Sequence, residues 1–129
     1  MSSAVRPFLS RSEQIEALAS LSLRRVLAER GIECVDVRKY LSVSRAEIVS
    51  FFKEHRHEAE ALLLKNHQTK PVHDVLCMES RSGRFVIYDM DHGYERSLYW
   101  YESLAEAAAD FVAFTFGYGY PDGYGFQNG

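Results

Sequence analysis

The segment from residue 75 to residue 116 constrains the fold of this chain more than any other part. It reads VLCMESRSGRFVIYDMDHGYERSLYWYESLAEAAADFVAFTF and contains no lysine. Three short strand-like stretches are joined by an SRSG connection and by a His-Gly pair, in which glycine supplies the positive φ of a tight hairpin. A capped helix follows. We predict a three-stranded antiparallel β-meander that leads into a C-terminal helix.

Two long helices are predicted ahead of this segment. Ser10 with Glu13, and Ser44 with Glu47, have the spacing of a capping box, in which two side chains satisfy free amides at a helix N-terminus. Apolar residues recur at helical intervals after each pair. The sequence IECVDVRKYLSV between the helices is compatible with a short strand or with a helical turn.

Together these elements predict a single α+β domain with two N-terminal helices, the β-meander and a C-terminal helix. Gly31 is the expected end of the first helix, and the second should end near Lys65. Residues 1–9 are interpreted as a flexible arm and residues 10–117 as the domain. Residues 118–129 form a Gly- and Tyr-rich tail, which should be mobile unless its aromatic side chains dock.

Charge divides the 129-residue chain into two halves. Residues 1–70 hold 12 Lys and Arg against 9 Asp and Glu, a net charge of +3, whereas residues 71–129 hold 3 against 9, a net charge of −6. The acidic half should attract basic proteins and repel nucleic acid. The predicted partner is therefore a protein rather than a nucleic acid.

The chain lacks a long apolar run. Its apolar stretches fall far short of the roughly 20 residues that span a bilayer, and the N-terminal MSSAVRPFLSRSEQ lacks the apolar core of a secretory signal. Cys34 and Cys77 are too few for a disulfide scaffold and are interpreted as buried thiols. We expect a cytoplasmic protein with no membrane partner.

No residue spacing predicts catalysis or metal binding. Residues 54–60, EHRHEAE, hold two histidines, but these lie two positions apart and point in different directions on a helix. This run is interpreted as a solvated helix face. Neither cysteine carries a local signature of an activated thiol. We predict no enzyme, no metal ion and no cofactor.

The His-Gly turn allows the register of the second hairpin to be predicted. Opposite charges meet across the strands if Met90 faces Glu95 and Asp89 faces Arg96. An unbroken register then assigns the remaining residues to two faces. Facing the helices are Phe85, Ile87, Leu98 and Trp100, whereas Tyr88, Tyr99 and Tyr101 lie on the opposite, partly exposed face.

This tyrosine face is the predicted binding surface. Tyrosine supplies a large rigid contact area with a polar tip, and aromatic residues are enriched in interface cores. Acidic side chains around it should steer a basic partner. The predicted contact residues are Tyr88, Asp89, Asp91, Glu95, Tyr99, Tyr101 and Glu102.

Residues 27–45 offer an alternative function. Gly31 fits the turn of a helix-turn-helix motif, and Arg38, Lys39 and Arg45 could contact DNA phosphates. Two acidic residues in the same stretch oppose this interpretation. The alternatives are a DNA-binding regulator, or a helix C-cap followed by a connector.

A strand that leads directly into a capped helix ends the acidic segment, in the sequence WYESLAEAAADFVAFTFG. Residues 75–117 resemble the bacterial immunity proteins of polymorphic toxin systems, many of which carry a [F/Y]-x-S-x-x-E-A pattern at this place. The resemblance implies a non-catalytic protein that binds a cognate toxin domain and blocks it, by occluding its active site or by holding it inactive. It further implies that an acidic surface suits a basic nuclease toxin.

Overall fold

The computed structural model describes residues 9–32, 37–67 and 75–125. The helices are α1 Arg11–Ala19, α2 Leu23–Glu29, a 3-10 helix at Val37–Tyr40, α3 Arg45–Glu54, α4 Arg56–His67 and α5 Leu104–Phe116. The strands are β1 Val75–Arg81, β2 Arg84–Asp91 and β3 Tyr94–Tyr101, and they form an antiparallel sheet in the order β1-β2-β3. The predicted α+β class and its β-meander followed by a helix are confirmed.

Capping boxes begin α1 and α3 as predicted. Ser10 Oγ accepts a hydrogen bond from the Glu13 amide at 3.2 Å, and Glu13 accepts one from the Ser10 amide at 2.8 Å. Ser44 and Glu47 repeat this geometry at the start of α3. The Arg11 guanidinium also binds Glu47 and, together with the Ser44 amide, lowers the pKa of Glu47 to about 2. This ion pair connects α1 to α3.

The single helix predicted between Ser10 and Gly31 is wrong, because the chain breaks it into α1 and α2. Leu21 adopts a left-handed φ of +58°. The amide of Ser22 donates to the carbonyl of Ala17, and the amide of Leu21 donates to that of Leu18, which is the hydrogen-bond pattern of a Schellman C-cap. The break redirects the chain so that Leu23 and Leu27 of α2 are both fully buried.

The second long helix is also broken in two, at His55. This residue has φ −124° and ψ 60°, and its ring stacks on Phe51 with 4.3 Å between ring centroids. Its backbone amide and its ring Nδ1 both lie within hydrogen-bond distance of the Phe51 carbonyl, at 2.9 and 3.0 Å. The break allows α4 to leave the direction of α3 and pack against β1.

Helix α5 lies at the centre of the molecule. Ten of its 13 residues are buried, five of them alanines, and it contacts α1, α3, α4 and all three strands. A helix that is apolar on every side is stable only when other elements surround it. The helices therefore cover one face of the sheet, which contributes Met78 and Ile87 to the core. No helix within the described residues is long and apolar enough to cross a bilayer.

The register of the β2–β3 hairpin follows the prediction only near the turn. Met90 pairs with Glu95 and Asp89 pairs with Arg96, as predicted. Beyond them the register shifts by one residue, because Ser97 takes a φ of +57° and forms a bulge. A shift of one residue exchanges the two faces of a strand. The predicted pairs beyond Asp89 are therefore wrong, and the observed pairs are Ile87 with Tyr99, Val86 with Trp100, and Phe85 with Tyr101.

Candidate functional site

The bulge separates the three tyrosines that were predicted to share one face. Tyr99 and Tyr101 point to the helices, whereas Tyr88 lies on the other face of the sheet, and the common tyrosine face is therefore wrong. Tyr101 is 4% exposed and donates a hydrogen bond to Asp110 at 2.7 Å. Tyr99 is half-buried, with its ring centroid 5.6 Å from that of Phe114. In this structure Tyr101 cannot serve as an anchor for a partner.

Tyr88 is buried on the face of the sheet turned away from the helices. Its hydroxyl donates to the carboxylate of Glu79, and the guanidinium of Arg81 lies 5.0 Å from the centre of its ring. Burial and the neighbouring Glu79 raise the pKa of Tyr88. Because it is 1% exposed, Tyr88 also offers no area to a partner.

Leu98 and Trp100, predicted to face the helices, lie on this outer face instead. Both are half-buried against a small cluster that contains Val86. The Arg84 guanidinium lies 4.7 Å from the centre of the Trp100 ring, within the range of a cation–π contact. This cluster could not be predicted from the sequence, because the bulge that creates it involves an ordinary serine.

The four predicted acidic contacts do not form one patch. Glu95 receives two hydrogen bonds from Arg81, at 2.9 and 2.6 Å, and Asp91 is bound by Arg96. Asp89 and Glu102 are exposed, and neither forms an ion pair within residues 9–32, 37–67 and 75–125. Glu102 follows the far end of β3, roughly 20 Å along the strand from Glu95. Only Asp89 and Asp91 therefore remain together, in one groove near the β2–β3 turn, because Glu95 pairs with Met90, which lies on the opposite face of the sheet.

A surface groove lies beside that turn. This groove, which we call the hairpin groove, has a volume of about 300 Å³. It is lined by Leu76, Asp89, Asp91, Arg96 and Ser97. The turn itself is tight, with φ of +52° at His92 and +84° at Gly93, as expected for a two-residue hairpin connection.

Tyr94, the first residue of β3, is the most exposed large apolar side chain of the described residues. It is 74% exposed, and it pairs across the hairpin with Asp91. Tyr94 was not among the predicted contact residues, because the tyrosines were chosen by the face of the sheet that an unbroken register assigned to them. The position directly after a His-Gly turn was the available signal, because residues beside a protruding turn have few neighbours. Tyr94 and the hairpin groove together form what we call the hairpin surface.

A second polar cluster surrounds the buried Asp110. Asp110 of α5 is 0% exposed and accepts hydrogen bonds from Arg45 at 2.8 Å, from the Tyr101 hydroxyl at 2.7 Å and from the Gly125 amide at 3.0 Å. Asp122 accepts from the first two amides of α3, at 2.7 and 3.1 Å. Every polar group of Asp110 is therefore satisfied within the chain, and its role is structural.

The C-terminal segment docks through its tyrosines. Tyr118 and Tyr120 are each 4% exposed, and they donate hydrogen bonds to the carbonyls of Val43 and Ala109 at 3.0 and 2.7 Å. Residues 118–125 thus pack against the helices, which is the condition under which the tail was expected to be ordered. Residues 126–129 lie outside the described part of the chain.

The region proposed as an alternative DNA-binding motif has a different geometry. Val37–Tyr40 form one 3-10 turn, and α3 begins only at Arg45. The Arg45 side chain is 16% exposed and is bound to Asp110, so it is not placed to contact phosphates. Residues 33–36, which would join the two helices of such a motif, lie outside the described residues. No observation here favours DNA binding, which stays a prediction from the sequence.

Within the described ranges, no group of three or more His, Cys, Asp or Glu side chains is placed to hold a metal ion. Cys77 is buried, and Cys34 lies outside the described residues. Comparison of the chain with protein-family models, with curated proteins and with solved structures finds no match.

Proposed function

We propose that this chain is a cytoplasmic, non-catalytic inhibitor that binds a cognate bacterial toxin domain through the hairpin surface, in the manner of an immunity protein. The observation that carries the proposal is the 74% exposure of Tyr94 directly beside a charged groove. A tyrosine side chain has only two rotatable torsions, so little conformational entropy is lost when a partner covers it. The resemblance of residues 75–117 to immunity proteins supplies the kind of partner.

The two kinds of side chain on this surface have different roles in the proposal. Tyr94 is the anchor, because a central aromatic residue can contribute about 2 kcal/mol or more to binding. Asp89, which is exposed and has no ion pair among the described residues, steers a basic partner during encounter. Asp91 and Arg96 bind each other and hold the groove in shape.

The test uses the toxin domain encoded beside the gene of this chain. Co-expression of the chain should restore growth of cells that produce this domain, and the purified proteins should form a complex. Tyr94→Ala should weaken the complex about 30-fold, the equivalent of about 2 kcal/mol. The matched control is Tyr94→Phe, which keeps the ring and should retain most of the affinity.

Two results would contradict the proposal. One is a chain that neither binds the neighbouring domain nor restores growth, or a gene neighbourhood that encodes no toxin domain. The other is a complex whose affinity is unchanged by Tyr94→Ala, which would place the interface elsewhere on the chain.

A further inference from the structure

The helices leave one end of the sheet uncovered on the face that they otherwise pack against. In this place Leu76 of β1, Asp89 of β2 and Arg96 of β3 lie side by side in one cross-strand row. Farther along the same face Ile87 is completely buried, whereas Asp89 and Arg96 are exposed. The hairpin groove is therefore a part of the core-facing surface for which the described chain supplies no cover.

Among the described residues, the charges of this groove leave one carboxylate without an ion pair. The Arg96 guanidinium binds Asp91, and Asp89 has no ion pair among the described residues. Among the described residues that line it, two carboxylates and one guanidinium give the groove a net charge of −1. A carboxylate on a central strand next to an apolar neighbour, Leu76, is complementary to a side chain with an apolar stem and a cationic end.

We infer that the hairpin groove receives an arginine side chain of the partner. The guanidinium is bound by the Asp89 carboxylate, for which its planar pair of N–H donors is the best geometric match. The aliphatic stem packs on Leu76. A groove of about 300 Å³ is at the small end of binding pockets, a size that suits one long side chain better than a whole helix. This inference rests on the proposed function only in assigning the arginine to a protein partner.

The experiment needs no partner protein. N-acetyl-L-arginine amide is titrated into the isotopically labelled chain, and amide chemical shifts are followed by NMR. Binding should shift the amides of residues 76, 89–91 and 96–97. N-acetyl-L-norleucine amide, which has the stem without the charge, should bind at least severalfold more weakly. Asp89→Asn should weaken arginine binding about threefold, as expected for one partly exposed ion pair. The matched control, Glu102→Gln, removes another exposed acid and should change nothing.

The inference would be overturned by equal binding of the norleucine and arginine probes, or by no effect of Asp89→Asn in a chain whose spectrum stays folded. Stronger binding of N-acetyl-L-glutamate amide would also overturn it, because the groove would then be an anion site at Arg96. Preference for N-acetyl-L-lysine amide over the arginine probe would also overturn the choice of arginine. Each outcome is independent of whether the toxin domain binds, so failure here and failure of the proposed function are distinguishable.

Discussion

Asp110 is a fully buried charge whose partners come from three separate parts of the chain. Arg45 begins α3, Tyr101 ends β3, and Gly125 belongs to the C-terminal segment. In the sequence Asp110 follows three alanines, and the pattern of the helix gives no sign that its carboxylate is buried. The capping boxes at Ser10 and Ser44 could be predicted because their partners lie three residues away, whereas Arg45 lies 65 residues from Asp110.

We expect Asp110→Ala to lower the free energy of unfolding by about 3 kcal/mol or more. The substitution leaves the guanidinium of Arg45, which is 16% exposed, without its buried counter-ion, and removal of one member of such a pair costs about 3–5 kcal/mol. Urea unfolding followed by circular dichroism measures the change.

The matched control for this prediction is Glu106→Gln. Glu106 also contacts Arg45, at 3.4 Å, but its side chain is 43% exposed. Solvent screens a pair of this kind, so the loss should stay below about 1 kcal/mol. Equal losses of unfolding free energy from the two substitutions would contradict the prediction, because the buried Arg45–Asp110 pair would then stabilise the fold no more than the exposed Arg45–Glu106 pair.

At the scale of elements, the bulge in β3 decides which residues face the core. The sequence predicted the pairs near the turn correctly, because turn geometry sets the register there. It could not show the extra residue at Ser97, since serine has no particular preference for a φ of +57°. The same limit applies to Leu21, whose left-handed conformation divides the predicted first helix. In both places tertiary packing overrides local preference.

Substitutions at Ser97 test whether this residue has a positive φ. Ser97→Val should lower the free energy of unfolding by about 1–2 kcal/mol, because a β-branched side chain is strained at positive φ. Ser97→Gly should cost nothing or stabilise slightly, since glycine adopts this conformation without strain. Chemical denaturation compares the two variants.

Ser80→Val is the control for this prediction, because Ser80 is an exposed strand serine outside the set of residues with positive φ. It should be neutral or mildly stabilising, since valine favours strands. The bulge assignment is contradicted if Ser97→Val is as well tolerated as Ser80→Val, or if Ser97→Gly is the more damaging change at that position.

At the scale of the whole molecule, the acidic half of the chain is partly neutralised by the basic half. Asp110 and Glu106 bind Arg45, and Asp122 binds the N-terminus of α3. A count of charge along the sequence shows the asymmetry but not these pairings, so it overstated the acidity of the surface. Near the β2–β3 turn the proposed site retains the exposed carboxylate of Asp89 and the exposed ring of Tyr94, and it is smaller than the sequence predicted.

The most direct test of this site is hydrogen–deuterium exchange of the chain alone and in complex with the neighbouring toxin domain. If the hairpin surface is the interface, amides within residues 89–97 exchange more slowly in the complex, and amides within residues 45–54 of α3 are unchanged. Slower exchange confined to α3, with residues 89–97 unaffected, would contradict the central claim that this protein binds its partner through the β2–β3 hairpin.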